Sequence, residues 1–177
     1  MMSNMDNRIE KTRQSIAKAF VELRSHKPLE RITVKELCEL AQINKSTFYC
    51  HYVDIYDLSE KVEQHIVSDI MKDLDNIEDV IQDPAEFSGR LFSEYTKDPL
   101  VKIIFSDSRR EQFPRKLLAS IKEHFFARFP EFANSPEKNI MLTYCVYGSY
   151  YTLHENQEYD DSTAVKIICE ISKRIVS

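Results

Sequence analysis

Glycine is scarce in this chain, with two glycines and six prolines among 177 residues. Tight turns depend on these two residue types, so the sequence offers few of the short connections that a sheet of many strands requires. Glutamate, lysine, leucine and isoleucine are common instead, and this balance favours many helices over many strands. The composition therefore predicts an all-α fold.

Hydrophobic periodicity divides the chain into helices. Apolar residues at helical spacing predict a first helix over about residues 8–25 and a long helix from about Asp54 to Val80. The sequence after this long helix has room for four or five more helices, the last with an amphipathic face over residues 165–175. Prolines at helix-sized intervals suit the first turn of a helix or the loop before it: Pro84, Pro99, Pro114 and Pro136.

Between the first helix and the long one, capping residues predict two short helices. Thr33 begins one of them, and Glu36 three residues later completes a capping-box pattern. Asn44 or Lys45 begins the other, which is expected to end near His51. A short helix, a three-residue turn and a second short helix form the plan of a helix-turn-helix.

Charge is distributed unevenly along the chain. Residues 1–53 hold nine basic and six acidic residues, a net +3, whereas residues 54–177 hold 15 and 23, a net −8. Because duplex DNA is polyanionic, the N-terminal third is the part that suits contact with phosphate.

The stretch from Ile32 to Leu58 resembles the DNA-binding signature of the TetR family of bacterial transcription regulators. The matching positions are Ile32, Thr33, Ala41, Ile43, Ser46, Thr47, Phe48, Tyr49, His51 and Tyr52. The resemblance implies a three-helix helix-turn-helix domain over residues 1–53 and a helical dimerisation and ligand domain over residues 54–177. It also implies a homodimer on a double-stranded operator and, in most members, a pocket for an inducer.

DNA contacts are predicted on the outer face of the second short helix and at the start of the first. Ala41, Ile43 and Phe48 are expected to pack in the three-helix core. The remaining hydroxyl, imidazole and ammonium groups suit phosphates and base edges, although a solvated face would have a similar composition. The predicted contact residues are Thr33, Lys35, Lys45, Ser46, Thr47, Tyr49, Cys50, His51 and Tyr52.

Two positions depart from the family pattern. Gln42 replaces the usual turn glycine, so either Gln42 adopts a positive φ or the turn differs. Ile55 stands where a lysine commonly contacts phosphate, and Asp54 and Asp57 add negative charge beside it. That phosphate contact is expected to be absent.

The last two predicted helices are candidates for a dimer interface. Tyr144, Tyr147, Gly148 and Tyr151 share one side of the first of them, and a glycine inside a helix invites a packing reason such as a close helix crossing. In the resembled family these helices pair with their symmetry mates, which predicts a homodimer through residues 137–155 and 162–176. The alternative is a core helix that packs only within its own chain.

An inducer pocket would need aromatic walls and a few polar anchors in the second domain. The candidates, each of which also fits a role in the core, are His65, Phe92, Tyr95, Phe105, His124, Phe125, Tyr144 and Tyr151. The sequence does not identify the inducer. It also resembles a subgroup that includes the activator of dihydroxyacetone kinase operons, whose signal is another protein.

The sequence predicts a dimeric repressor that binds a near-palindromic operator and is controlled by a small molecule. The alternative is a DNA-bound regulator or activator that is controlled by a protein partner. An enzyme is not expected, because none of the common catalytic motifs occurs. No cofactor is expected, and the spacing of Cys38, Cys50 and His51 is wrong for a compact zinc site. The four cysteines, the lack of an apolar leader and the lack of a spanning segment predict a cytoplasmic protein.

Overall fold

The computed structural model describes residues 4–74 and 77–176, and over these residues the fold is all-α, without a β-strand. The prediction from composition is therefore confirmed. The helices are α1 (Asn4–Arg24), α2 (Val34–Leu40), α3 (Lys45–Tyr49), α4 (Ile55–Asp73), α5 (Asp79–Gln82), α6 (Pro84–Lys97), α7 (Pro99–Ile104), α8 (Gln112–Arg128), α9 (Pro136–Glu155) and α10 (Asp161–Val176).

Proline marks the start of several of these helices. Pro84, Pro99 and Pro136 are the first residues of α6, α7 and α9, and Pro114 is the third residue of α8. In the first turn the missing N–H would have no partner within the helix, and the fixed φ of proline already suits a helix. The expected placement of all four prolines is confirmed.

The long helix is shorter than the periodicity predicted. Helix α4 ends at Asp73 rather than near Val80, and Val80 lies in the separate short helix α5. Aspartate and asparagine are concentrated over residues 73–76 of the sequence. Both residue types have a low intrinsic preference for the interior of a helix.

The chain forms two compact units. The N-terminal unit consists of Met1–His65 and Leu100–Arg110, and the C-terminal unit consists of Ile66–Pro99 and Glu111–Ser177. Helix α4 begins in the first and ends in the second. The N-terminal unit is larger than the predicted DNA-binding domain of residues 1–53, because the first half of α4 and a segment from the middle of the chain pack with it.

In the N-terminal unit, α1 contacts α2 and α2 contacts α3. The apolar stripe of α1 is buried here, and the Ser15 hydroxyl on α1 donates a hydrogen bond of 3.0 Å to the Ala41 carbonyl at the end of α2. This bond satisfies a carbonyl that the helix end would otherwise leave open. The fully buried side chains at the centre are Ile16, Phe20, Leu29, Leu37, Phe48 and Leu58.

In the C-terminal unit, α10 packs along α6, and α9 contacts α6, α8 and α10. Gly89 on α6 allows the close approach of α10, since a Cβ at this position would lie 3.2 Å from the Cys169 sulfur. The Ser88 and Ser172 hydroxyls share a buried hydrogen bond of 3.3 Å in the same contact. The core around it is built mainly from Phe92, Phe113, Leu117, Ile121, Phe125, Leu142 and Tyr150.

Candidate nucleic-acid interface

The turn between α2 and α3 is a Schellman motif. The Ile43 N–H donates to the Cys38 carbonyl at 3.0 Å, and the Gln42 N–H donates to the Glu39 carbonyl at 3.3 Å. Gln42 has a φ of 55°. The sequence left open whether this residue adopts a positive φ, and the structure answers that it does.

Asn44 caps α3 and also fixes the two hydroxyl groups that follow it. Its Oδ1 accepts from the Thr47 N–H at 2.7 Å, the Ser46 hydroxyl at 2.6 Å and the Thr47 hydroxyl at 2.8 Å. Because the N–H can only donate, the atom facing it must be the amide oxygen. The Ser46 hydroxyl, also close to that oxygen, must therefore donate to it.

Helix α3 buries Phe48 and leaves most of its other side chains in solvent. Phe48 is fully buried, while Lys45, Ser46, Tyr49 and Cys50 are exposed. Tyr49 has 57% of its surface exposed although its ring is in edge contact with Phe48. The remaining predicted contact residues of the helix and its end, Thr47 and His51, are half-buried.

The capping box predicted for α2 is present. The Thr33 hydroxyl accepts from the Glu36 N–H at 3.3 Å, and the Glu36 carboxylate accepts from the Thr33 N–H at 2.8 Å. Hydrogen bonds from Lys27 and from the Thr33 backbone lower the pKa of Glu36 below its ordinary value. Thr33 is thus occupied as a cap, whereas the exposed Lys35 ammonium lies 4.0 Å from the Glu39 carboxylate.

Tyr52 packs against the core beneath α3. It has 8% of its surface exposed, its ring centroid lies 5.6 Å from that of Phe48, and the Lys61 ammonium lies 5.0 Å from its ring centroid. Burial raises the pKa of its hydroxyl. We therefore assign Tyr52 to packing rather than to the contact surface that the sequence predicted for it.

Ile55, which replaces the family lysine, is buried. Asp54 accepts a hydrogen bond of 2.8 Å from the Asp57 N–H at the start of α4. Asp57 accepts from the Val53 N–H and the Lys61 ammonium, each at 2.9 Å, and these contacts lower its pKa. The Lys61 ammonium thus offsets part of the negative charge of Asp54 and Asp57 beside Ile55.

The two cavities described in this structure bring none of the eight candidate pocket residues together, since Phe92 lines one and Tyr144 the other. His65 and Phe105 belong to the N-terminal unit, and the side chain of Tyr95 lies outside the described residues. In the C-terminal unit His124 is exposed, and Phe125 is buried among other phenylalanines. The remaining three are Phe92 in a cavity, Tyr144 at a surface groove and the exposed Tyr151.

Phe92 lines a small apolar cavity between α5, α6, α8 and α9. Its volume is about 20 Å³, and its walls are Val80, Phe87, Ser88, Leu91, Phe92, Ile121, Met141, Leu142, Cys145 and Val146. A space of this size holds about one water molecule. Burial raises the pKa of the Cys145 thiol in this wall.

Large apolar side chains are exposed on α9 and α10. We call this surface the outer face; it consists of Ile140, Tyr144, Gly148, Tyr151, Ile167 and Ile171. Next to it lies a groove of about 130 Å³ lined by residues of both helices, among them Tyr144, Gly148 and Ile171. A Cβ on Gly148 would meet only the Tyr144 ring, at 3.9 Å, so contacts within the described chain give no packing reason for this glycine.

The described residues hold no group of three or more side chains that could bind a metal ion. Cys38 is buried and Cys50 is exposed. Likewise, among the helices over residues 4–74 and 77–176, none has the length and apolar character needed to cross a bilayer.

Sequence reasoning missed two polar contacts in the N-terminal unit, that of Arg24 with Ser106 and that of Arg109 with Glu63. The partners lie 82 and 46 positions apart in the sequence, and neither pair belongs to a local motif. The Asn44 contacts had a local signal, since Ser46 and Thr47 lie two and three residues after an N-cap residue.

No model of a known protein family matches the chain, and no curated protein matches it. The resemblance to the TetR family therefore stays a prediction that depends on the residues from Ile32 to Leu58.

Proposed function

We propose that this chain is a TetR-like transcription regulator that binds a near-palindromic operator as a homodimer, with α3 as the recognition helix. One observation carries the proposal: a short, side-chain-capped helix buries Phe48 and exposes Lys45, Ser46, Tyr49 and Cys50. This is the arrangement that a helix needs in order to enter a major groove while staying attached to a core.

The exposed side chains divide into two roles by chemistry. Lys45, at the N-terminal end of α3, reaches a base edge, with a guanine the preferred partner of its ammonium. The Tyr49 hydroxyl, one turn later, donates to a phosphate oxygen and sets the register of the protein on the duplex. Lys35, exposed near the start of α2, adds a point charge against a neighbouring phosphate.

The outer face supports the dimer. Ile140 and Tyr144 expose 69% and 60% of their surfaces to solvent, which is costly for large side chains unless another surface covers them. Gly148 lies between them and Tyr151 on the same helix, where a missing side chain lets a second helix approach. A second copy of the chain supplies the same surface, as a two-fold interface requires.

Two modes of control are alternatives for this regulator. Binding sites for drug-sized ligands usually measure about 300–1,000 Å³, so the cavity beside Phe92 would have to enlarge more than tenfold to hold an inducer. A protein partner would act on the surface and would need no such enlargement. Native mass spectrometry of the purified chain distinguishes the two modes, because a retained small molecule would add a discrete mass and support the inducer.

Selection from a randomised duplex library tests DNA binding. The wild-type chain should enrich a near-palindromic sequence. Lys45→Ala should cost about 1–3 kcal/mol at one base pair of each half-site, whereas Tyr49→Phe should weaken binding about equally for all sequences.

The matched control is Lys166→Ala, which removes the same charge from an exposed position of α10. It should leave the enriched sequence and its affinity unchanged. A library that yields no enriched sequence, or a Lys45→Ala profile identical to that of Lys166→Ala, would refute the proposed recognition helix.

A further inference from the structure

The segment Leu100–Arg110 belongs to the N-terminal unit, although the chain on both sides of it belongs to the C-terminal unit. It contains most of α7 and a 3-10 turn at Asp107–Arg109. The chain therefore passes between the units three times: within α4, before Leu100 and after Arg110. Helix α4 is not the sole covalent connection between them.

Arg24, the last residue of α1, ties this segment to the start of the chain. Its side chain is buried, with Nη1 donating to the Lys27 carbonyl at 2.9 Å and Nη2 donating to the Ile103 carbonyl at 3.2 Å and the Ser106 hydroxyl at 2.6 Å. Carbonyls at a helix end have no partner within the helix and carry partial negative charge. The guanidinium is thus matched to the C-terminal end of α7.

Arg109 ties the same segment to α4. Its Nε and Nη2 each donate to one oxygen of the Glu63 carboxylate, both at 2.7 Å, in a two-pronged ion pair. Glu63 is fully buried, and the Ser59 hydroxyl also donates to it at 2.8 Å. Removing one partner of such a pair leaves an uncompensated charge in the interior, so the contact resists opening.

We propose that Leu100–Arg110 is a second connector, which carries the state of the C-terminal unit to the unit that contains α3. Helix α6 precedes it and helix α8 follows it, so a change in the packing of either helix is transmitted to the segment through the backbone. The two arginines then pass that change to α1 and α4. A ligand or partner of the C-terminal unit would act through its differential affinity for the two states of this connector.

Hydrogen–deuterium exchange of the full chain tests where the segment belongs. Arg109→Gln should speed amide exchange at least about tenfold over residues 100–110 and the first half of α4, because local opening then no longer breaks the ion pair. If this variant fails to fold, Glu63→Gln keeps the shape of the carboxylate and weakens the same contact. Lys102→Gln is the matched control, an exposed residue of the same segment, and should change little.

Transmission is tested with a substitution confined to the C-terminal unit. Leu142→Ala, or Ile121→Val if that variant does not fold, loosens the buried core of that unit. In the otherwise wild-type chain it should speed exchange over residues 100–110 and at the end of α1. Combined with Arg24→Gln, or with Ser106→Ala if that double variant does not fold, it should lose its effect on α1, because the contact between α1 and the segment is then removed.

An effect on α1 that is the same with and without the Arg24 contact would mean that the signal reaches α1 by another route, and it would overturn the connector. So would the absence of any effect on α1, or exchange over residues 100–110 that responds equally to Arg109→Gln and Lys102→Gln. Regulation along this route matters only if the proposed DNA binding holds. The exchange measurements contain no DNA, so the failure of one proposal is distinguishable from the failure of the other.

Discussion

At the scale of single residues, the turn before α3 depends on Gln42, whose φ of 55° lies in the left-handed region. For a residue with a Cβ this conformation costs about 1–2 kcal/mol. The two hydrogen bonds of the Schellman motif hold the residue there. Glutamine stands here where the resembled family has glycine. The residue type alone therefore indicated that the backbone at position 42 could have a positive φ.

Gln42→Gly should stabilise the N-terminal unit by about 0.5–1 kcal/mol, because the relief of backbone strain exceeds the added entropy of the unfolded chain. Urea denaturation followed by circular dichroism measures the change. Gln14→Gly, at an exposed position inside α1, is the matched control and should lose about 1 kcal/mol. If both substitutions destabilise equally, Gln42 is not strained.

The orientation of the Ser46 hydroxyl has a consequence for base recognition. Its proton is directed to Asn44 Oδ1, so toward solvent it offers only lone pairs. In a major groove such a group accepts from the amino group of cytosine or adenine and is poorly suited to phosphate, which also only accepts. Asn44 thereby gives a small side chain a defined preference.

Ser46→Ala should therefore cost about 1–3 kcal/mol at one base pair that presents an amino group, with little loss elsewhere in the operator. A panel of single-base operator variants measures this. Ser162→Ala is the matched control, since Ser162 donates to Asp160 Oδ1 in the same way at the start of α10. A uniform loss across the panel would mean that Ser46 contacts phosphate.

At the scale of helices, local signals predicted the starts that have a cap or a proline, and the predicted end of α4 was wrong. The prolines placed α6, α7, α8 and α9 correctly because the ring constrains the first turn directly. The end of α4 was predicted too late, because the helical spacing of apolar residues continues in the sequence through residues that prefer turns. No local pattern encodes contacts between residues that are distant in sequence. The sequence therefore did not show that Leu100–Arg110 belongs to the N-terminal unit, nor that the pocket candidates lie apart.

The two glycines of the chain should respond to alanine in opposite ways. Gly148→Ala should stabilise the folded monomer by up to about 1 kcal/mol through helix propensity, because its Cβ meets only an ordinary contact. If the outer face pairs closely, the same change should weaken the dimer. Gly89→Ala should destabilise the C-terminal unit, because its Cβ would lie 3.2 Å from the Cys169 sulfur.

Unfolding curves at several protein concentrations separate these effects, since only dimer dissociation depends on concentration. A Gly148→Ala dimer as tight as the wild type would remove this residue from the interface. A Gly89→Ala protein of unchanged stability would mean that α6 and α10 move apart at no cost.

At the scale of the whole molecule, charge divides between the two ends of the sequence. The N-terminal third is net positive and the rest is net negative, so an approach to DNA with α3 is favoured over other approaches. The exposed apolar residues of α9 and α10 belong to the acidic part. A dimer joined through the outer face would contain two copies of α3, one for each half-site of a near-palindromic operator.

The affinity of the full chain for its selected duplex, relative to a scrambled duplex of the same length and composition, tests sequence-specific DNA binding most directly. Fluorescence anisotropy at physiological salt should give binding at least about 10³-fold tighter for the selected sequence. Saturation should occur at two chains per duplex. Equal affinity for the two duplexes would contradict the account.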